Sequence, residues 1–396
     1  MKVFIDVTSS CRSAQNTGMQ RMTRRIFAEL NQRLDVRPIS WNTAGDFYVD
    51  LGPREFQFLT QPFAAHSNAM AHPEWRGEDP FTESLRMFRR RRFNLDQEIG
   101  PADVFFVPDI FRDGRRDALP AFLKRTTARK VAIFHDATDL RLIDVYPDRE
   151  RKSRPYLEAL ALFDLVICVS EEARDDLHHF WNKYGCRVTE TAVELWPGQL
   201  DGAQPSATGE SEDSVLYVSS FHGRKNHLKL LSAAEQLWSE GLRFNLVLIG
   251  RNVGAPFNKI VRAIWKLRMR GRPVRWLRHV DDETLLRAYR ECRFTVYPSL
   301  MEGFGLPIVE SLLHGKPCIC GDNGALGEVA RGGGCLIVDQ TKTSALADGI
   351  KTLLQDRQLY SRLAAEARAR KFRSWPDYIE KLLNHLQSAK TAVASH

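Results

Sequence analysis

Two carboxylates eight residues apart bracket a glycine loop in Tyr297-Pro-Ser-Leu-Met-Glu-Gly-Phe-Gly-Leu-Pro-Ile-Val-Glu310. Glycine at 303 and 305 lets the backbone approach a ligand closely. Proline at 307 suits the first turn of a helix, where its missing N–H costs nothing. A helix N-terminus behind such a loop favours a phosphate. Glu310 is expected in that first turn, where its carboxylate can accept two hydroxyl hydrogen bonds of the kind a ribose offers. Glu302, on the loop, would face whatever lies beyond the phosphates. The elements that must position these groups are legible nearby. Phe294-Thr-Val-Tyr297 reads as a short buried strand, and Ile308, Val309, Leu312 and Leu313 give the helix an apolar face, with Gly315 as its C-terminal cap.

The run Glu302-Gly-Phe-Gly-Leu-Pro-Ile-Val-Glu310 resembles, without a gap, the E-x7-E signature of retaining glycosyltransferases of the GT-B fold, specifically family 4. That resemblance implies a donor-binding role for Glu310, Gly303, Phe304, Gly305 and Leu306, with Glu302 beside the transferred sugar. It also draws in Ser219-Ser-Phe-His-Gly-Arg-Lys-Asn-His227, where Arg224 and Lys225 match a basic pair that grips the donor diphosphate. Arginine can bind phosphate through two parallel hydrogen bonds, and lysine acts as a mobile point charge. Many relatives carry Gly-Arg or Gly-Thr at the preceding strand end, where this chain has Ser219-Ser220, so a second phosphate-binding arginine is absent there. Arg251, after Ile249-Gly250, and Val280 match further positions near the donor, Val280 through its backbone. In the first half, His135-Asp136 ends a strand; the resemblance places His135 against the sugar and Asp136 toward the acceptor. Asn16-Thr-Gly-Met-Gln-Arg-Met22 is similar to the family's first glycine loop, with Gly18 near the phosphates or the acceptor and Arg21 assisting.

No Asp-x-Asp follows a strand, so no metal is expected to bridge a diphosphate; positive side chains and a helix terminus would take that role. No cofactor is expected besides the nucleotide sugar itself. No Ser-His-Asp order, reactive-cysteine setting or Walker loop stands out, and no His or Cys cluster has zinc spacing. The seven scattered cysteines suit a reducing compartment, with Cys318 and Cys320 read as core on one face of a strand. No apolar run reaches the roughly 18 residues of a membrane span, and the N-terminus enters a strand pattern without a signal peptide, so the expected location is cytoplasmic.

The net charge is +8, concentrated in Arg86–Phe93 and in Arg262–Arg278, the latter interleaved with Trp265, Leu267, Met269 and Trp276. Basic and aromatic residues together suit an anionic surface. No nucleic-acid motif accompanies them, so the candidate is an anionic inner membrane leaflet. The alternative is solvated helix faces plus phosphate-binding arginines.

At 396 residues the chain needs more than one core. Strand and helix patterns alternate throughout, which argues for α/β architecture with parallel sheets. Strands are expected at Lys2–Val7, Val104–Val107, Lys130–His135 and Leu165–Ser170, then at Ser214–Ser219, Asn245–Ile249, Phe294–Tyr297, Pro317–Cys320 and Cys335–Val338. Helices fit Met19–Leu30, Ser153–Phe163 and Glu171–Phe180, then Leu228–Ser239, Asp282–Cys292, Thr343–Gln355 and Leu359–Lys371. Residues 60–100 show no clear period. The expected organisation is two facing Rossmann-like doubly wound domains with a cleft between them: an acceptor domain at 1–200, a polar linker at 201–213 and a donor domain at 214–373. A last helix at 374–396 would return to the first domain, as the resemblance implies.

The function this implies is transfer of a mannose- or glucose-type hexose, with retention, to a hydroxyl of a glycan or lipid-linked acceptor in surface polysaccharide synthesis. The donor would be GDP-mannose or a UDP-hexose. The alternatives are another activity on the same fold, such as a sugar-nucleotide epimerase, or a non-catalytic glycan- or partner-binding member.

Overall fold

A computed structural model describes residues 1–12, 17–43, 45–60, 90–145, 149–198, 213–251, 257–278 and 280–388. The chain divides into two compact units, one of Met1–Leu195 with Trp375–His396 and the other of Trp196–Ser374. Of the expected linker at 201–213 only Asp213 lies within the described residues.

The first unit is built on an eight-stranded sheet. Its strands are β1 (Lys2–Asp6), β2 (Asp35–Asn42), β3 (Phe47–Asp50), β4 (Arg92–Phe93), β5 (Val104–Val107), β6 (Arg129–Phe134), β7 (Leu165–Cys168) and β8 (Glu190–Val193). The spatial order is β4-β3-β2-β1-β5-β6-β7-β8. β3 pairs antiparallel with β2 and with β4; the other pairings are parallel. Continuous apolar runs such as Val104-Phe-Phe-Val107 are buried along their whole length, as a sheet covered on both faces requires.

The second unit holds β9 (Ser214–Val218), β10 (Asn245–Ile249), β11 (Val274–Leu277), β12 (Phe294–Tyr297), β13 (Cys318–Cys320) and β14 (Cys335–Ile337). They form one parallel sheet in the order β11-β10-β9-β12-β13-β14. Cys318 and Cys320 are fully buried in it. Each sheet reverses its winding once, between β1 and β5 in the first unit and between β9 and β12 in the second. In open α/β sheets ligands bind outside the carboxyl ends of the strands at such a reversal.

The structure adds elements that periodicity did not show. β2, β3, β4 and the helix Arg115–Arg125 extend the first unit, and β11 lies inside the basic stretch before Arg278. β3, β4 and β11 have four residues or fewer, too few for a period to emerge, whereas β2 and the helix Arg115–Arg125 each carry a proline, Pro38 and Pro120, that speaks against a regular element. Half of the Arg86–Phe93 run, residues 86–89, lies outside the described residues. Within them Arg90 pairs with Glu55, Arg91 with Glu98, and Arg92 lies over the Phe47 ring. The helix Trp375–Gln387 belongs to the first unit. Trp375, Tyr378, Ile379, Leu382 and Leu386 are buried there, and the His385 carbonyl accepts from Arg129 Nε at 2.9 Å. No helix among the described residues is long and apolar enough to cross a membrane.

Candidate functional site

In the second unit the candidate residues gather where the sheet reverses. β9 runs into a single 3-10 turn, Gly223–Lys225, that ends on Asn226 at φ 57°. Asparagine tolerates this left-handed conformation, and the Asn226 side chain is tied to the Gln340 carbonyl at 2.7 Å. β12 runs into the loop that carries Glu302. The two loops are joined where Leu300 N–H donates to the Arg224 carbonyl at 2.8 Å.

Three charged groups meet there. The Glu302 carboxylate takes Lys225 Nζ on one oxygen at 2.5 Å and Arg224 on the other at 2.6 Å. Lys225 Nζ also donates to the Tyr297 hydroxyl at 2.9 Å, and Ser299 Oγ donates to Glu302. Lys225 and Glu302 are both buried. Burial alone would raise the pKa of Glu302, but Arg224 and Lys225 outweigh it and hold the carboxyl at about 2. Glu302 is therefore an anion throughout the neutral range, and the trio has a net charge of +1. Such a cluster can bind and orient an anionic group without any change of protonation.

The glycine loop then enters the helix Leu306–Leu313. Gly305 caps it at φ 101°, a conformation that suits glycine, with Pro307 in the first turn. Gly315 ends the helix at φ 69°; its N–H and that of Lys316 close on Leu312 and Ser311, as in a Schellman motif. Because the helix begins at Leu306, Glu310 lies in its second turn rather than its first. Its side chain is buried, and Tyr289 donates a hydroxyl hydrogen bond to it at 2.9 Å. Phe304 is buried with its ring 6.1 Å from that of Trp196. Arg251 follows β10, its backbone carbonyl accepting from Phe221 N–H at 2.8 Å. Val280 is half-buried against the cluster of Leu216, Ile249, Leu285, Tyr289 and Cys292.

The remaining sequence candidates lie in the first unit. His135 follows β6, is buried, and meets the Pro108 carbonyl at 2.6 Å. Burial pulls its pKa down against that hydrogen bond, so the imidazole is neutral. Asp136 accepts from Thr138 N–H at 3.0 Å and so begins the short helix Thr138–Arg141. Gly18 is the first residue of the helix Gly18–Asn31; Thr17 caps it through a box with Gln20, and Arg21 lies within that first turn.

Sequence reasoning missed a buried polar network at the other reversal. Asp6, at the end of β1, takes the Arg115 guanidinium at 2.7 Å and the Tyr48 hydroxyl at 2.7 Å. Burial pushes Asp6 up, but Arg115 and these hydrogen bonds turn the net shift downward. Asp109, after β5, accepts from Thr23 at 2.7 Å and Ser10 at 3.1 Å, and burial raises its pKa to about 6. A carboxylate ending an apolar strand, as in Phe4-Ile-Asp6, was the available signal. Its partner Arg115 stands 109 positions away, beyond any local pattern.

Residues 203–370 match the sequence profile of the family described as Glycosyl transferases group 1. The chain is 29% identical over 282 residues to O-antigen chain mannosyltransferase B of Escherichia coli, covering 66% of this chain and 71% of that one. It is 28% identical over 355 residues to a serotype-specific mannosyltransferase WbdA of the same organism, covering 83% of this chain but only 40% of that longer protein. Among solved structures it resembles sucrose-phosphate synthase from Thermosynechococcus elongatus, with a TM-score of 0.69 at 16% identity over 97% of this chain and 98% of that one. It also resembles Anabaena Alr3699/HepE in complex with UDP and glucose, with a TM-score of 0.66 at 17% identity over 98% and 100% of the two chains. These structural likenesses establish the α/β fold of GT-B glycosyltransferases.

Proposed function

We propose that the chain, whose residues 203–370 match the glycosyl transferases group 1 profile, transfers a hexose from a nucleotide diphosphate sugar to a hydroxyl of a growing glycan or lipid-linked acceptor, with retention and without a metal. The observation that carries this reading is the buried Lys225–Glu302–Arg224 cluster at the sheet reversal, beside the glycine-capped helix. The names of the mannosyltransferase relatives favour mannose as the hexose and a bacterial surface polysaccharide as the product.

On this reading Arg224, Lys225 and the N-terminus of the helix at Leu306 take the diphosphate, and Glu310 takes the ribose hydroxyls from a carboxylate already oriented by Tyr289. The bond from the anomeric carbon to the diphosphate breaks, and the acceptor oxygen bonds on the same face. The acceptor proton passes to the departing phosphate. The transition state is oxocarbenium-like. The negative charge growing on the leaving group meets fixed positive charge, so the acceleration comes from preorganised electrostatics and positioning. This local supply of cations is the physical support for metal independence. Glu302 orients the sugar, and Arg251 and the Val280 backbone border the nucleotide; for His135, Asp136, Gly18 and Arg21 the support is the resemblance of their sequence segments alone. A location on the cytoplasmic side, peripheral to the inner membrane, accords with such an acceptor.

The test is a thermal-shift screen against GDP, UDP, dTDP, ADP and their sugars, with and without EDTA. Stabilisation by one nucleotide, unchanged by EDTA and lost in Glu310→Ala, is the expected result and names the base. No stabilisation by any of them, or stabilisation abolished by EDTA, refutes the donor site as described.

A further inference from the structure

The helix Phe257–Met269 turns the basic and aromatic run of the sequence into a defined surface. Ile260, Ile264 and Leu267, spaced four and three apart, are buried and fix the helix to its unit. At about 100° per residue, Arg262, Trp265 and Met269 lie opposite that row, with Lys259 and Lys266 on one flank and Arg268 on the other. Trp265 is 61% exposed and Met269 is 68% exposed. Two other apolar members of the run are turned away: Leu267 is buried, and Trp276 stacks on Phe221 at 4.8 Å and donates to the Gly250 carbonyl.

The charge on this face is of one sign. The helix contains no acidic residue, and Lys259, Arg262, Lys266 and Arg268 form no ion pair among the described residues. The next arginines differ, since Arg270 and Arg272 are both held by Glu235. A helix that merely meets water gains nothing from exposing Trp and Met inside a ring of uncompensated cations.

We propose that this face docks on an anionic lipid surface, Trp265 and Met269 entering the headgroup region and Lys259, Arg262, Lys266 and Arg268 meeting lipid phosphates. Tryptophan favours the interface between water and hydrocarbon, and each basic residue adds attraction to an anionic leaflet. A nucleic acid would use the cations and could stack on Trp265, but it would give Met269 no counterpart. The proposal is independent of the donor-site reading, which nucleotide-induced stabilisation reports separately.

The experiment is co-sedimentation of the full chain with phosphatidylcholine vesicles, with and without phosphatidylglycerol, over a salt series. Two surface variants accompany it, Arg262→Glu with Lys266→Glu and Trp265→Ser with Met269→Ser. Binding is expected only to the phosphatidylglycerol vesicles, weakening with salt. The charge variant should lose about fivefold or more per residue changed. The apolar variant should lose binding at low salt as well, together with quenching of tryptophan emission by brominated lipid. Both should keep the wild-type melting temperature. Equal binding to both vesicle types, no binding to either, or unchanged binding by the two variants overturns the proposal. So does a variant-sensitive affinity for RNA or for a second copy of the chain in place of lipid.

Discussion

At the scale of single residues, function turns on how few groups carry charge in a buried place. Lys225 stands within 2.5 Å of a carboxylate and 2.9 Å of a phenol hydroxyl, so its ammonium group is fixed rather than mobile. Lys225→Ala should lower turnover by about a hundredfold or more, because a preorganised charge on the leaving group is lost. Steady-state kinetics with the nucleotide sugar identified by the screen checks this, and wild-type-like turnover would exclude the leaving-group role. Next to it His227 lies between the rings of Tyr217 and Phe221, at 4.7 and 4.4 Å. Burial, aided by the charge of Lys225, pulls its pKa down to about 3. Below the ordinary histidine range the unfolded chain binds a proton that the folded chain refuses. The contribution of neutral His227 is therefore full above about pH 6.5 and declines as the pH falls toward 3. The melting temperature of His227→Phe, compared with wild type from pH 7 to pH 4, should fall less steeply; parallel curves would show that His227 does not titrate this way.

At the scale of elements, the donor-side loops depend on how closely two strand ends approach. Gly250 follows β10 at φ 146°, and a Cβ there would stand 2.0 Å from the Ser219 carbonyl oxygen. The Ser219 oxygen belongs to the backbone and cannot swing aside as a side chain would, so Gly250→Ala must displace the chain just after β9, from which the Arg224–Lys225 turn departs. The expected cost is about 2 kcal/mol or more in urea unfolding, with a parallel loss of turnover. Gly185 is the control: its φ is +66° with nothing within 4 Å of a Cβ, so Gly185→Ala should cost only about 1 kcal/mol and leave activity intact. Equal effects of the two would mean that backbone conformation, not the approach of the strands, governs the loop. These contacts were not legible in the sequence. The motif Ile249-Gly-Arg251 was visible, but that its glycine packs against Ser219 follows only from the pairing of β9 with β10.

At the scale of the whole molecule, chain order and spatial grouping diverge at the C-terminus. The helix Trp375–Gln387 is last in sequence yet belongs to the first unit, where Trp375 meets Arg25 and His385 meets Glu194 at 2.9 Å. Truncation after Ser374 would remove the buried side chains of Tyr378, Ile379 and Leu382 and uncover part of the helix Gly18–Asn31, which the last helix contacts. It should therefore destabilise the first unit while leaving nucleotide-induced stabilisation of the second. Differential scanning calorimetry with and without nucleotide separates the two effects, and an unchanged melting profile would show that the helix contributes little.

Local sequence was enough for the α/β class, for every parallel strand of the second unit except β11, and for the loop-and-helix frame of Glu302 and Glu310. These rest on local rules: buried strands are short apolar runs, and a left-handed position needs glycine. It also marked Arg224 and Lys225 as a pair, because their neighbourhood resembles a known motif. Folding alone brings both cations onto Glu302, 77 positions from Lys225, and sets Tyr289 against Glu310. It alone revealed the Asp6–Arg115 network and separated the outward Trp265 and Met269 from the inward Trp276. The physical reason is common to all of these. Electrostatic and packing partners are chosen by which strand ends the sheet order brings together, and that order is not written in any local period.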